Sequence, residues 1–250
     1  MGFTREFQEL IFRIHGYPIK HQPVTYYSKL LDDNKPFSFS RFGDGEWNAI
    51  LGVKGVNCDG HEYFPELGRD LSLEICRPKA YIYALQPFAL KSMRTVIEAY
   101  CVKKSVSLLW HNAEVFHDAN KQGRLFPFVN SLRKKSVVMV GPAYLRMVSD
   151  RLFPFYDFIE VPAKNCYTAK KEISEAVRNV AARKAGLVFA FSASMTSNVL
   201  IHQLYDELGA GHWLLDMGSL WDIYAGVKSR DVYHVKDWDT LIKKNLSGTR

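Results

Sequence analysis

The chain has 250 residues, 47% of them hydrophobic and 24% charged, a balance that supplies a full core and excludes a disordered chain or a coiled coil. Lys and Arg number 33 against 26 Asp and Glu, a net charge of +7. That excess suits an anionic partner, whether nucleotide, nucleic acid or acidic membrane surface, and a merely solubilising surface is the plain alternative. Four scattered cysteines, Cys58, Cys76, Cys101 and Cys166, contain no C-x-x-C pair and match no zinc-ligand spacing. Charged residues Arg5, Glu6 and Glu9 argue against a secretory leader. No apolar run approaches the ~18 residues of a membrane span. A soluble cytoplasmic protein is expected, bacterial or, if viral, in the host cytoplasm.

Residues 4–14 carry helical apolar spacing through Phe7, Leu10, Ile11 and Ile14, with Thr4 placed to cap it. A second short helix is expected over 24–33. Residues 37–42 read as a strand that stops at the turn signal Gly43-Asp44-Gly45, and 46–51 as a short helix. Further strands are expected at 80–85, 106–110, 136–140, 155–161, 186–191 and 212–215. Helices are expected at 67–75, 88–102, 143–152, 168–183 and 195–208. Several of these strands are continuous apolar runs, the signature of a parallel sheet covered on both faces. The alternation predicts a Rossmann-like, doubly wound α/β fold with a mostly parallel sheet and helices on both faces. One domain is expected, with a helical extension at 1–35, a nucleotide-binding core at 36–226 and a C-terminal segment at 227–250. The last residues, 246–250, read as a frayed tail.

Ligands of such sheets bind beyond the carboxyl ends of the strands, so the strand-end segments carry the candidates. Asp44 and Glu46 flank Gly45 just after the first strand. Two carboxylates on one turn can hold a hard divalent cation that keeps waters and takes phosphate oxygens, with Arg41 near enough for a phosphate. An ordinary glycine turn with solvated acids is the other reading. Ser192, Ser194, Thr196, Ser197 and Asn198 crowd the next strand-to-helix junction. Amides and hydroxyls there can take phosphate, and simple N-capping is the alternative. Gly141 lets a ligand approach backbone. Asn165 and Tyr167 offer an amide and a ring to a base or ribose. Asp216 follows another strand as a candidate general base. Asp222 and Trp221 lie beyond it, the Trp face being free to pack on a sugar or to fill the core. His111 sits at a strand end, where a lone His is more often structural. No G-x-G-x-x-G, P-loop or G-x-S-x-G motif is present, which removes the usual markers of dinucleotide redox, P-loop phosphoryl transfer and α/β-hydrolase chemistry.

Together these segments resemble the GT-D fold glycosyltransferases, a bacterial group first described as a domain of unknown function. The likeness runs through Ser40-Arg41-Phe42-Gly43-Asp44-Gly45-Glu46, Val138-Met139-Val140-Gly141-Pro142, Val161-Pro162 with Asn165-Cys166-Tyr167, the 192–198 turn, and Asp216-Met217-Gly218 with Tyr224. Asp44 and Glu46 match the family's D-x-E motif. The chain departs from the family in the 192–198 turn, Ser-Ala-Ser-Met-Thr for a Gly-Pro-Thr-like segment, and at Cys166, where Ala is usual. The resemblance implies a UDP-sugar donor bound through a divalent ion, Mn2+ or Mg2+.

On this basis the expected activity is transfer of a glucose-like hexose from a UDP-sugar to an acceptor hydroxyl, on a glycan or on a hydroxymethylated base of viral DNA. Asp44 and Glu46 are the expected metal ligands. Arg41, Gly43, Asp44, Gly141, Asn165, Tyr167, Ser194, Thr196 and Ser197 are expected around the nucleotide sugar. Asp216, Glu46, Asp222 and His111 are the candidate catalytic groups. A non-catalytic nucleotide- or nucleic-acid-binding α/β module is the rival reading.

Overall fold

The computed structural model describes residues 19–248, so the helix expected at 4–14 lies outside the described residues. Seven strands form one sheet in the order β3-β2-β1-β7-β6-β4-β5, and every pairing is parallel. They are β1 (Ser38–Phe42), β2 (Ile82–Leu85), β3 (His111–Asn112), β4 (Ser136–Gly141), β5 (Phe155–Glu160), β6 (Leu187–Phe191) and β7 (Trp213–Asp216). The inner strands β6 and β7 are buried at every residue, as continuous Val, Leu and Phe runs require when helices cover both faces.

One face is covered by α1 (Val24–Asp32), α5 (Val115–Lys121), α6 (Phe126–Leu132), α9 (Val232–Val235) and α10 (Trp238–Ser247). Their core gathers Tyr27, Phe39, Phe116, Phe128, Met139 and Trp221. The other face carries α2 (Asp44–Ile50), α3 (Pro65–Cys76), α4 (Pro87–Lys104), α7 (Lys170–Ala181) and α8 (Thr196–Leu208), packed on Phe42, Trp47 and Leu71 at one end and on Phe189, Phe191 and Val177 at the other. Residues on β1 sort accordingly, since alternate side chains point to opposite faces. Phe39 and Arg41 share one face, Ser40 and Phe42 the other. Helices α2 and α3 approach closely because Gly68 leaves room: a Cβ there would lie 2.2 Å from the Ala49 carbonyl oxygen.

Several local expectations are corrected. Residues 106–110 are not a strand. The third strand is only His111–Asn112, because β2 is short and pairing begins at Ala84. The Trp110 carbonyl instead accepts from the Lys20 N–H at 2.7 Å. Residues 143–152 form a 3-10 turn, Ala143–Val148, followed by hydrogen-bonded turns. Its two buried side chains, Leu145 and Val148, stand three apart, the repeat of a 3-10 turn. Helices α5, α6, α9 and α10, which carry weak or short apolar periodicity, were not anticipated. Leu246 and Ser247 close α10, so the tail is not frayed there. The flanks belong to the common core: α1 buries Tyr27 and Leu31, and α10 is pinned to α5 by the fully buried Asn245, which donates to Asn120 and accepts from the Leu125 N–H.

Beneath β1, the fully buried Glu74 of α3 accepts hydrogen bonds from Ser40 Oγ at 2.6 Å and from Tyr81 OH at 2.9 Å through one oxygen, while its other oxygen has no partner. Burial pushes its carboxyl up from 4.5 to about 8. The folded chain therefore keeps a proton between those values that the unfolded chain has released. This group's contribution to stability is full below about 4.5 and is lost as pH rises to about 8. Glu74→Gln retains both acceptor bonds without titrating. Thermal unfolding midpoints at pH 5 and pH 8 are expected to differ less for the variant than for the parent chain, with the variant the more stable at pH 8.

Candidate active site

The carboxyl ends of β1, β2, β3 and β7 open into a cleft of about 520 Å³. Arg41, one residue from the end of β1, reaches into it. Its Nε donates to the Ala113 carbonyl at 3.1 Å and its Nη2 lies 3.4 Å from Glu114 Oε1. The same carboxylate accepts from Gln86 Nε2 at 3.2 Å and from Lys121 Nζ at 3.1 Å. Burial alone would raise the Glu114 carboxyl, but the neighbouring His117, Arg41 and Lys121 together outweigh it and hold the group at about 2. Glu114 is thus a permanent anion with its partners in place.

The opposite wall is different. Asp44 is exposed on the first turn of α2. Glu46 turns back so that its Oε2 accepts from the Gly43 N–H at 2.7 Å, capping the helix. Asp216 ends β7 and accepts from the Gly218 N–H at 3.0 Å. Burial raises Glu46 to about 7, with the Asp216 charge adding to it. Burial raises Asp216 to about 6 against the pull of Arg41. A buried carboxyl, Asp216, and a half-buried one, Glu46, thus lie close enough for the charge of the first to act on the second.

The far rim is closed by a bidentate ion pair in which Arg230 donates to both oxygens of Asp59, at 2.5 and 2.8 Å. Ser194 reaches the rim and accepts from Asn57 Nδ2 at 3.1 Å. Among the described residues, no group of three or more His, Cys, Asp or Glu side chains forms a ready-made metal cage.

Of the predicted residues, Arg41, Gly43, Asp44, Glu46, Ser194 and Asp216 come together in this cleft. Others lie elsewhere. Thr196 and Ser197 are buried, and Ser197 Oγ accepts the Ala193 N–H, tying the helix to the turn before it. Asn165 clips the neighbouring loop, accepting from the Glu62 N–H and donating to its carboxylate. Tyr167 donates to Asp70 at 2.8 Å and stacks on Phe64. Gly141 packs tightly, since a Cβ there would lie 2.7 Å from Leu145. His111 hydrogen-bonds Tyr27 OH at 2.9 Å in the core, and burial holds it near 4, neutral. Trp221 is fully buried against Phe153 and fills the core. Asp222 lines an adjoining cavity of about 110 Å³ with Pro142, Tyr144 and Ser192, its carboxylate taken up by Tyr144 OH and Ser229 Oγ. Asp59, Gln86 and Glu114 also stand in the cleft wall, as do His117, Asn120, Lys121, Arg230, Tyr233 and Trp238, which were not anticipated. No spacing signals these residues. They come from turns and short helices that converge only in the folded chain.

Gly218 sits at φ +53°, and a Cβ there would lie 2.2 Å from Arg41 Nη1. Gly218→Ala thus adds both backbone strain and a collision with the guanidinium. Ligand affinity or turnover is expected to fall at least about tenfold, with the thermal midpoint lowered. Unchanged kinetics would show that the position of Arg41 is immaterial.

No family model matches the sequence, and no curated protein does. Solved structures do. A glycosyltransferase of the DUF1792 group from Streptococcus sanguinis superposes with a TM-score of 0.61 at 19% identity, over 84% of this chain and 86% of that one. A selenomethionine-substituted DUF1792 domain gives 0.58 at 20% identity, over 91% and 87%. A DUF1792 domain described as having a distinct glycosyltransferase fold also gives 0.58 at 20% identity, over 87% and 84%. Among the described residues no helix is long and apolar enough to cross a membrane. Seven parallel strands, a carboxyl-end cleft and these superpositions agree: the chain has the glycosyltransferase fold of the DUF1792 domains.

Proposed function

We propose that this protein is a metal-dependent glycosyltransferase that moves a hexose from a UDP-sugar to a hydroxyl of a glycan. The observation that carries the reading is the charge of the cleft. Its lining holds six carboxylates, Asp44, Glu46, Asp59, Glu114, Asp216 and Asp231, against three fixed cations, Arg41, Lys121 and Arg230. A nucleotide diphosphate is anionic, so it enters such a cleft only with a cation between it and the acids.

The residues present fit that cation. Asp44, Glu46 and Asp216 supply hard oxygen donors, and Glu46 keeps one carboxylate oxygen beyond its cap. Their scarcity as a cage matches an ion that completes its shell with water and phosphate oxygens. Asp44 and Glu46 would hold it, and when bound it supplies Lewis-acid neutralisation of charge on the leaving diphosphate. In the transfer, the bond from the sugar's anomeric carbon to phosphate oxygen breaks and a bond to the acceptor oxygen forms. The acceptor proton goes to Asp216, whose raised value of about 6 suits a base working near neutral pH. Arg41 stays on Glu114 and Ala113 and balances the charge of Asp216.

The same charge count favours a neutral glycan over DNA as acceptor, because DNA would bring its phosphates against six carboxylates. A DNA acceptor predicts binding that weakens steeply with salt, a glycan acceptor little slope. Hydrolysis of UDP-sugars with manganese separates an enzyme from a non-catalytic nucleotide-binding module.

Asp44→Asn and Glu46→Gln keep size, and the amide oxygen that Glu46→Gln introduces can still accept the Gly43 N–H. Each is expected to lower turnover of a UDP-sugar roughly 100-fold or more, the rate equivalent of several kcal/mol of lost charge stabilisation, at an unchanged unfolding midpoint. A chelator is expected to abolish the parent activity. Full activity under chelation would overturn the scheme.

A further inference from the structure

One part of the cleft lining takes no part in the reaction above. It is formed by His117 and Asn120 of α5 and by Tyr233 and Trp238 of the C-terminal segment. His117 is only 8% exposed, and its Nδ1 has no hydrogen-bond partner. A buried polar atom left unpaired costs free energy that a well-placed partner recovers. Its neighbours are otherwise satisfied. Asn120 Oδ1 accepts from Tyr224 OH and from Asn245 Nδ2, both at 2.7 Å. Tyr233 OH donates to the Ser219 carbonyl and Trp238 Nε1 to the Val232 carbonyl, each at 2.9 Å. The orphan imidazole is therefore not an accident of a loose wall. It sits on a helix fastened to α10 by hydrogen bonds.

The chemistry of this lining selects its occupant. Arg41 and Lys121 both engage Glu114, and Lys121 also reaches Asp118, so each cation already has an acidic partner within the protein. Burial and the surrounding cations hold His117 near 3, so the ring is neutral and both donates and accepts. Glu114 stands beside it as an acceptor. Tyr233 and Trp238 contribute aromatic surface with their polar tips already bonded. A neutral imidazole, a carboxylate and aromatic ring edges recognise a polyhydroxylated ring.

We propose that His117 marks a carbohydrate subsite, in which its imidazole hydrogen-bonds a hydroxyl of a hexose ring held between α5 and the C-terminal helices. The inference rests on the glycosyltransferase reading. The ring belongs to the donor's sugar or to the acceptor, and the two sources are separable.

The test follows the 15N signals of the His117 imidazole in the whole chain with magnesium, assigned by their loss in His117→Gln. Three additions are compared. They are UDP, the set UDP-glucose, UDP-galactose and UDP-N-acetylglucosamine, and UDP together with the methyl glycosides of the same sugars. UDP alone is expected to leave the signals in place. A shift with a UDP-sugar assigns the subsite to the donor, and a shift only with a methyl glycoside assigns it to the acceptor. Calorimetry gives the second readout. His117→Leu, close in size, is expected to weaken that sugar's binding about tenfold with UDP affinity unchanged, and His117→Gln to recover part of the loss.

A sugar that binds while the His117 signals stay fixed overturns the subsite, as does a shift with UDP alone, UDP binding with no sugar bound, or His117→Leu binding every sugar as the parent does. UDP failing to bind the parent chain overturns the nucleotide-sugar reading, and the subsite with it. The signals of the parent chain decide the matter even where His117→Leu does not fold.

Discussion

The guanidinium of Arg41 is the charge about which the cleft is arranged. It lies at the end of the inner strand β1, fastened to the Ala113 carbonyl and Glu114 on one side and drawing on Asp216 and Glu46 on the other. Removing a charge from water is costly unless it is paired. Arg41 stays partly buried because Glu114 is matched to it. Asp216 stays anionic near neutral pH because Arg41 offsets some of its burial. The arrangement also needs an absence: no side chain at Gly218, where the guanidinium packs against the backbone. Asn198 secures the other end of the residue by donating to the Arg41 carbonyl at 2.5 Å.

From that centre the cleft divides into walls of unlike character. Toward α2 and β7 the acids run from the exposed Asp44 through the half-buried Glu46 to the buried Asp216, a grouping of like charge that a bound cation relieves. Toward α5 the acid Glu114 is held by three donors, and what remains unpaired is the ring nitrogen of His117. A protein of net charge +7 thus presents an acidic interior to its ligand, and its positive excess lies outside the cleft. The overall charge points to an anionic partner in general terms, whereas the local charge shows why such a partner needs a counter-ion to enter.

The sheet makes this possible by geometry alone. Parallel strands release their ends on one edge of the sheet, so Arg41, Gln86, Ala113 and Asp216 arrive together although they are far apart in the chain. Glu74, Ser40 and Tyr81 tie the reverse face of β1 to α3, so the strand that aims Arg41 is held from beneath. The Arg230 and Asp59 pair joins the C-terminal segment to the loop after α2 across the rim, and Asn245 fixes α10 to α5.

Two sorts of information shaped this protein, and they separate cleanly. The continuous apolar runs at 136–140 and 186–191, alternating with amphipathic stretches, were by themselves enough to specify a covered parallel sheet, because burial on both faces leaves that mark in any sequence. The turn Arg41 to Glu46 was legible for the same reason: a strand, a glycine turn and paired acids are contiguous, and contiguity places them at a strand end. Tertiary structure decided the rest. It sent Thr196, Ser197, Asn165 and Tyr167 to turn ties, clips and packing, because a hydroxyl or amide meets whichever partner folding brings nearest. It brought Glu114, His117, Lys121 and Arg230 to the cleft from short helices and loops whose periodicity is too brief to read. Local sequence determines which segments become strands and where they turn. Which distant side chains face one another across the carboxyl edge depends on strand order and helix packing, and these are set by long-range burial.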